Sequence, residues 1–354
     1  MSRMTSPSDN PVVSVCIQTY QHRHFIAKCL DSVLNQKTNF PFEIILGEDD
    51  STDGTREICE EYAKKHPSII RVFLRSRADK IYVDNLMTGR FNFIQNLQQA
   101  RGRYIALVDG DDFLCDDLKL QKQFDMMEAN PQVSLCGHSV VCLHGKKLRL
   151  HPGHAKWPAV PGFLDLEFLL RGNFIPMSSS MFRKKDVANL PEWYWEVPII
   201  DYPLHVFLAT KGDIGFLPEC MVVYRIHPGS IWSAQKAPRC HIILWRLYSL
   251  MATHWQGRIG SEMRSRRRKI GEELTRFYQT HRWHPSSWFR KELSRCDFPE
   301  DAILLDLFDR SPRFASYIRN FLNFFRFVLS RLHQRTRRLS VFGPWTAGIE
   351  QPKK

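Results

Sequence analysis

Three apolar runs punctuate the first third of the chain: Val12 to Ile17, Phe42 to Gly47 and Tyr104 to Val108. None shows strict polar and apolar alternation, which predicts strands buried on both faces of an α/β sheet. After the first run, Gln18-Thr19-Tyr20-Gln21 leads into a segment whose apolar positions Phe25, Ile26, Leu30, Val33 and Leu34 recur at helical spacing. After the second, Arg56 to Lys65 repeats that spacing. Strand, helix, strand, helix, strand predicts a mainly parallel sheet with right-handed crossovers. Ligands of such a sheet bind beyond the carboxyl ends of its strands.

Further along, Phe163 to Arg171 reads as a helix with Gly172 as its C-cap, and residues 173–180 read as a return to a strand. Tyr202 to Leu208 reads as an amphipathic helix beginning at Asp201, and Met221 to Ile226 as a strand. Between these, residues 144–161 hold His151, His154 and Trp157 without metal-ligand spacing and read as a mobile loop. In the C-terminal part, Phe314 to Leu339 places Phe, Tyr, Ile, Leu and Val on one side of a helical pattern and Arg319, Asn323 and Arg326 opposite.

The polar loops carry the chemistry. YIALVDGDD, residues 104–112, ends in Asp109, Asp111 and Asp112, and FEIILG is followed by Glu48, Asp49, Asp50 and Asp53. Oxygen ligands on a short loop suit Mg2+ or Mn2+, which complete their shells with water and substrate phosphates. Taken by itself, the first loop is equally a solvated acidic turn; a second carboxylate loop after a second strand favours a shared crevice. No GxGxxG or GxxxxGK[ST] follows these strands, so neither a dinucleotide fold nor a P-loop is indicated. Asp201 at a helix start would also serve as an ordinary cap, and Asp53 and Thr52 as turn residues. The cluster Trp193, Tyr194 and Trp195 is open between sugar platform and core.

VSVCIQTYQ, FEIILGEDDSTDGTREI, NFIQNLQQARGRYIALVDGDDF and DYPLHVFLATKGDIGFLPECMVVYRIHPGSIWS resemble, in order and spacing, the signatures of the family 2 inverting glycosyltransferases. The resemblance covers residues 12 to about 233 and implies a GT-A type, Rossmann-like fold. The departures are Gln18 for Pro, Gln21 for Asn and Asp50 for Gly or Cys. It implies a nucleotide-sugar donor bound by Thr19, Tyr20, Asp49, Asp109 and Gly110, with a UDP-sugar favoured. It implies Asp111 and Asp109 as metal ligands, with His227 reaching the metal or diphosphate in some relatives and Asp112 behind them. Asp201 matches the family's base position. The acceptor, a glycan or a lipid-linked glycan of a bacterial-type surface polysaccharide, would meet the region of Asn173, Ser179 and Trp195.

Composition bounds these readings. The chain has 354 residues, of which 43% are hydrophobic, enough for one large core plus an appended unit. The expected division is a polar, disordered tail (1–10), a catalytic domain (11–235) with a donor part to about 116 and an acceptor part after it, and a basic helical region (236–354). Nine cysteines without CxxC pairs fit a reducing compartment. With no signal pattern and no 18-residue apolar run, a cytoplasmic location is expected. Of the net charge of +13, residues 255–340 supply +10, from 19 Lys and Arg against 9 Asp and Glu. A basic helix with an aromatic apolar face at 314–339 would suit an anionic surface on the inner face of the cytoplasmic membrane, or would pack on the catalytic domain. A nucleotidyltransferase would share the acidic loops but calls for a Gly-rich basic loop that QTYQHRH is not. A nucleic-acid-binding protein would use the run Arg264 to Lys269 but leaves the acidic loops unexplained, so no nucleic acid is expected.

Overall fold

The computed structural model describes residues 10–79, 81–83, 86–156, 162–230, 232 and 237–281. The chain opens with β1 (Val13–Thr19), α1 (Ile26–Leu34), β2 (Phe42–Glu48), α2 (Thr55–Lys65) and β3 (Ile70–Leu74). A hairpin of β4 (Ile81–Val83) and β5 (Leu86–Thr88) and the helix α3 (Arg90–Gln99) precede β6 (Tyr104–Asp109). Then come β7 (Phe113–Leu114), α4 (Lys119–Ala129), β8 (Val133–His144), β9 (Lys147–Leu150), α5 (Pro152–Lys156), β10 (Gly162–Leu164) and α6 (Leu166–Leu169). β11 (Met181–Arg183), α7 (Asp201–Ala209), β12 (Asp213–Ile226), α8 (Ala237–His254) and α9 (Gly257–His281) complete the described elements.

Among the described residues one ten-stranded sheet runs β10-β12-β8-β11-β6-β1-β2-β3, with β7 on β12 and β9 on β8. Its β6-β1-β2-β3 part is parallel, as the strand and helix alternation predicts. β11 enters antiparallel between β6 and β8, so the remainder is mixed. The apolar runs are continuous because both faces are covered. Val13, Val15, Ile17, Ile44, Leu46, Ala106 and Val108 join Ile26, Cys29, Leu30 and Val33 in one core. Cys16, Ile45, Ile105 and Leu107 are equally buried. Each such side chain contributes ~1.5–3 kcal/mol.

Register positions the chemistry. Val13 pairs with both Phe42 and Tyr104, so three strands begin level. They also end level, with Thr19 beside Glu48 and Gln18 beside Asp109.

Several expected elements differ. β3 and α3 were not expected; β3 lies at the end of the sheet order with only Ile70 fully buried, and Arg71 interrupts its apolar residues. Residues 163–171 form the end of β10 and the four-residue α6 rather than one helix, because Asp165 caps at Phe168 N–H and Phe163 pairs with Gly215. Residues 173–180 are not a strand: Met177–Ser179 is a 3-10 turn, and the strand begins at Met181. α7 is buried nearly all round, not amphipathic, since Tyr202, Leu204, His205, Val206 and Leu208 are all covered. Residues 144–161 are not a loop where described, because β9 pairs with β8 and His154 is buried, accepting from Val140 N–H at 3.1 Å. Trp157, residues 1–9 and the 314–339 pattern lie outside the described residues.

The chain divides into two compact units, residues 1–270 and 271–354, so the unit holding the sheet also contains α8 and the first part of α9. In that unit the basic run at 264–269 is partly consumed: Arg267 is buried over the Trp245 ring and donates to Ser249 Oγ at 2.8 Å, and Arg266 pairs with Glu262 at 3.2 Å. Among the described residues no helix is long and apolar enough to cross a membrane, and the cysteines are free thiols.

At the amino-terminal end of the sheet, buried Glu43 ties neighbouring strands together. It accepts from Ser14 Oγ at 2.7 Å, Arg101 N–H at 2.8 Å and Arg101 Nε at 2.9 Å, and pairs with Arg71 at 3.2 Å. Burial pushes this carboxyl up, but the Arg101 backbone, the Ser14 hydroxyl and the Arg101 guanidinium outweigh it and hold it below its usual 4.5. A depressed folded-state pKa gives stability that is complete above about pH 4.5 and is lost as pH falls through the folded value. Urea unfolding of Glu43→Gln should therefore show a flatter decline between pH 5 and 3 than wild type, and a loss of roughly 1–2 kcal/mol at pH 7. An unchanged pH profile would remove Glu43 from this role.

Candidate active site

Beyond the carboxyl ends of β1, β2 and β6, three loops meet and are stitched to one another. Gln21 N–H donates to Ser51 Oγ at 2.9 Å, His22 N–H to Thr55 Oγ1 at 2.8 Å, and Arg23 N–H to Asp53 Oδ2 at 3.1 Å. Asp53 also accepts from Thr55 N–H at 3.0 Å, the turn-building use of an Asp. Gln21 and Asp50 have φ of 56° and 60°, the left-handed region. These are two of the three positions where the sequence departs from the pattern it resembles, Asn at the first and Gly or Cys at the second; Asn and Gly enter this region readily. Gly110 has no alternative: a Cβ would lie 2.8 Å from Thr19 Cβ and 2.9 Å from Gln18 O. Its N–H donates to Gln18 O at 2.8 Å, folding the acidic loop over the end of β1.

The three carboxylates of that loop have different surroundings. Asp112 is fully buried and fully used: Oδ2 accepts from Ser178 Oγ at 2.6 Å and Oδ1 from Arg225 N–H at 2.9 Å. Ser178 Oγ also accepts from Asp109 N–H at 3.0 Å, so one hydroxyl locks both ends of the loop. Burial and the charges of Asp111 and Asp109 push Asp112 well above the carboxylate range. Asp109 accepts from Gln18 Nε2 at 3.4 Å, and burial together with Asp111 and Asp201 pushes it up to about 7. Asp111 goes the other way. Burial works against its charge, but the hydrogen bond from His227 and the nearby His22 and His227 prevail. Its Oδ2 lies 3.1 Å from His227 Nε2 and 3.8 Å from His22 Nε2.

The structure thus brings Asp109, Asp111, His227, Thr19 and Gly110 to one place. Thr19 is buried, with Oγ1 3.2 Å from His22 Nδ1, and Tyr20 is half-buried on the same loop. Asp49 is buried after β2, its N–H bonded to Thr19 O at 3.0 Å, and it opposes the burial that lowers the pKa of Arg75. Asp201 stands at the first turn of α7, half-buried, with Oδ1 accepting from Tyr202 N–H at 2.7 Å and Oδ2 from Asn173 Nδ2 at 2.9 Å. Burial raises its pKa against both of those bonds. Its charge is among the causes that raise the pKa of Asp109, so two carboxyls from distant parts of the chain act on each other.

Of the acceptor-side residues, Ser179 is buried and donates to Pro176 O at 2.8 Å; its neighbour Ser178 is the serine facing the carboxylates. Trp195 is 37% exposed while Tyr194 is core and Trp193 stacks on His254 at 5.4 Å, so only Trp195 offers an open aromatic face. The Trp195 carbonyl accepts from buried Arg90. Sequence reading passed over His22, Arg75, Arg90, Ser178 and Arg225. For Arg225 a signal existed: it lies at the end of β12, two residues before His227, the spacing that sets side chains on one face of an extended chain. Its guanidinium sits between the rings of Phe25 and Phe113, at 5.2 and 4.6 Å, and donates to Asp111 O.

The donor set fits a hard divalent cation. Asp109 and Asp111 offer carboxylate oxygens crowded enough to raise one of their pKa values, which is where added positive charge would be most stabilised. Among the described residues no group of three or more His, Cys, Asp or Glu side chains is placed to hold a metal ion. Mg2+ is usually held by one or two carboxylates together with substrate phosphates.

The model of the family described as glycosyl transferase family 2 matches residues 14–190. An uncharacterized protein of Mycobacterium tuberculosis is 33% identical over 244 residues, covering 68% of this chain and 66% of its own length. The chain thus spans about two thirds of that relative. TuaG of Bacillus subtilis, whose name describes a teichuronic acid biosynthesis glycosyltransferase, is 30% identical over 236 residues, covering 64% of this chain and 85% of its own. S. aureus TarS in complex with UDP-GlcNAc superposes with a TM-score of 0.52 at 16% identity, over 83% of this chain and 78% of that one. A mannosyltransferase, PcManGT from Pyrobaculum calidifontis, in complex with GDP-Man and Mn2+, gives 0.51 at 13% identity, over 90% and 89%. At these identities the structural likeness concerns the fold. With the family model spanning residues 14–190 and the acidic loops set at the carboxyl end of a GT-A type sheet, the chain belongs to glycosyl transferase family 2.

Proposed function

We propose that this protein is a metal-dependent inverting glycosyltransferase, moving a sugar from a nucleoside-diphosphate donor to a glycan or lipid-linked acceptor in surface polysaccharide synthesis. The observation that carries this reading is the acidic loop at the carboxyl end of the sheet, where Asp111 Oδ2 lies 3.1 Å from His227 Nε2 and the charges of Asp111 and Asp201 both act on Asp109. TarS with UDP-GlcNAc, PcManGT with GDP-Man and Mn2+, and the name of TuaG support the donor class and the polysaccharide context. Asp111 and Asp109 would hold Mg2+ or Mn2+, with His227 beside them. When bound, the cation supplies charge stabilisation for the departing diphosphate.

The chain's own residues do the rest. Asp201 accepts the proton of the attacking acceptor hydroxyl while the new glycosidic bond forms and the donor bond breaks. Tyr202 N–H and Asn173 Nδ2 fix its two oxygens, and burial raises its basicity. Asp49 and Tyr20 hold the nucleobase, by hydrogen bond and by ring contact, and a UDP-sugar is the favoured donor. Trp195 offers its exposed face to the acceptor sugar. Attachment to the cytoplasmic membrane through 314–339 rests on that segment's sequence pattern.

Asp111→Asn should fold normally and lose about 100-fold or more in kcat. Nucleoside diphosphate release from a panel of nucleotide sugars, with and without Mn2+, measures this; full activity of the folded variant would sink the metal assignment. Asp201→Asn should keep calorimetric binding of nucleoside diphosphate plus Mn2+ and lose transfer, and Asn173→Ala should lower kcat with little change in KM for donor. If binding and transfer fall together in Asp201→Asn, the residue is structural. Asp49→Ala should weaken donor binding by ~1–3 kcal/mol, the cost of one lost buried hydrogen bond, and flatten nucleobase preference across the panel.

A further inference from the structure

The amino-terminal end of the sheet is the electrostatic opposite of the crevice. A cavity of about 660 Å³ opens there, where the start of β6 meets the end of β11. That volume lies within the ~300–1,000 Å³ usual for small-ligand sites. The length of β6, at ~3.3 Å per residue, sets it roughly 17 Å from Asp109. Arg101, Arg103, Arg183, Lys184 and Lys185 line it, and Glu128 is the carboxylate on its wall. Arg101 pairs with Glu43 and Arg103 with Glu128, both at 2.8 Å. Among the described residues no carboxylate lies within ion-pair distance of Arg183, Lys184 or Lys185.

What holds those charges is neutral. Arg183 donates to Val133 O and to Met127 O, and Lys184 to Ala100 O; carbonyls fix a cation's position without cancelling its charge. Tyr104 supports two guanidiniums at once, with Arg103 5.1 Å and Arg183 5.7 Å from its ring centroid, while its hydroxyl is tied to Glu128. Five cations against Glu43 and Glu128 leave an excess of three positive charges on a framework fixed by tertiary contacts. Guanidinium forks beside ammonium groups are the donors that phosphoryl oxygens select.

We propose that this cavity is a second binding site, separate from the crevice, for a phosphoryl-bearing anion. The phosphoryl group is either the headgroup of an anionic phospholipid or a free phosphate, and binding there leaves the crevice open to substrates. The test uses the full chain. Calorimetry with inorganic phosphate is run on an Asp111→Asn background, which removes the crevice as a metal-linked phosphate site. Co-sedimentation with phosphatidylcholine vesicles, with and without phosphatidylglycerol, is run in parallel. Arg103→Gln with Lys185→Glu changes two exposed side chains and should weaken binding of the phosphoryl probe by about tenfold or more. Arg103→Lys with Lys185→Arg should retain it, and Lys185→Glu alone serves if the double variant fails to fold. Loss on both probes, or on anionic vesicles alone, identifies the headgroup; loss on phosphate alone identifies a free anion. Phosphate and anionic-vesicle binding equal to wild type in the folded variant, or wild-type protein that binds neither, overturns the proposal. With Asp111 intact, nucleotide-sugar turnover in the double variant should match wild type.

Discussion

Too much negative charge in too little space is the constraint around which this site is built. Asp109, Asp111 and Asp112 fall within four residues, and Asp201 joins them from the start of α7. Like charges at this density cannot all stay ionised in a partly buried crevice without compensation. The fold answers unequally. Asp112 is clamped by Ser178 and the Arg225 backbone, Asp111 is held ionised by two histidines, and Asp109 is left with a pKa pushed up to about 7. That residual imbalance is where added positive charge would be most stabilised.

Holding such a cluster requires a stiff frame. Level strand ends set Thr19, Glu48 and Asp109 in one row, and side chain to backbone bonds between the β1 and β2 loops lock them together. Glu48 anchors that row from beneath: it accepts from Ser51 N–H at 2.7 Å and pairs with Arg56. The left-handed turns at Gln21 and Asp50 are tolerated because each neighbourhood is fixed by such bonds. The frame also polarises the molecule, with carboxylates gathered at one end of the parallel strands and arginines and lysines at the other.

The sequence by itself determined the parallel half of the sheet, since uninterrupted apolar runs can be satisfied only by strands covered on both faces, and the acidic loops at their ends, since those residues follow the runs directly. It also nominated Asp109, Asp111, Asp201 and His227 as candidates, because motif order is linear information. Only the tertiary structure decided between neighbours. Ser178 rather than Ser179 meets the carboxylates because a 3-10 turn, not a strand, precedes Met181 and shifts which hydroxyl points inward. Trp195 rather than Trp193 stays open because Trp193 packs against His254 and Trp255. His22 and Arg90 carry no periodicity of their own; their roles arise from partners up to 105 residues away, and pairings at that separation depend on register and packing that no local pattern encodes.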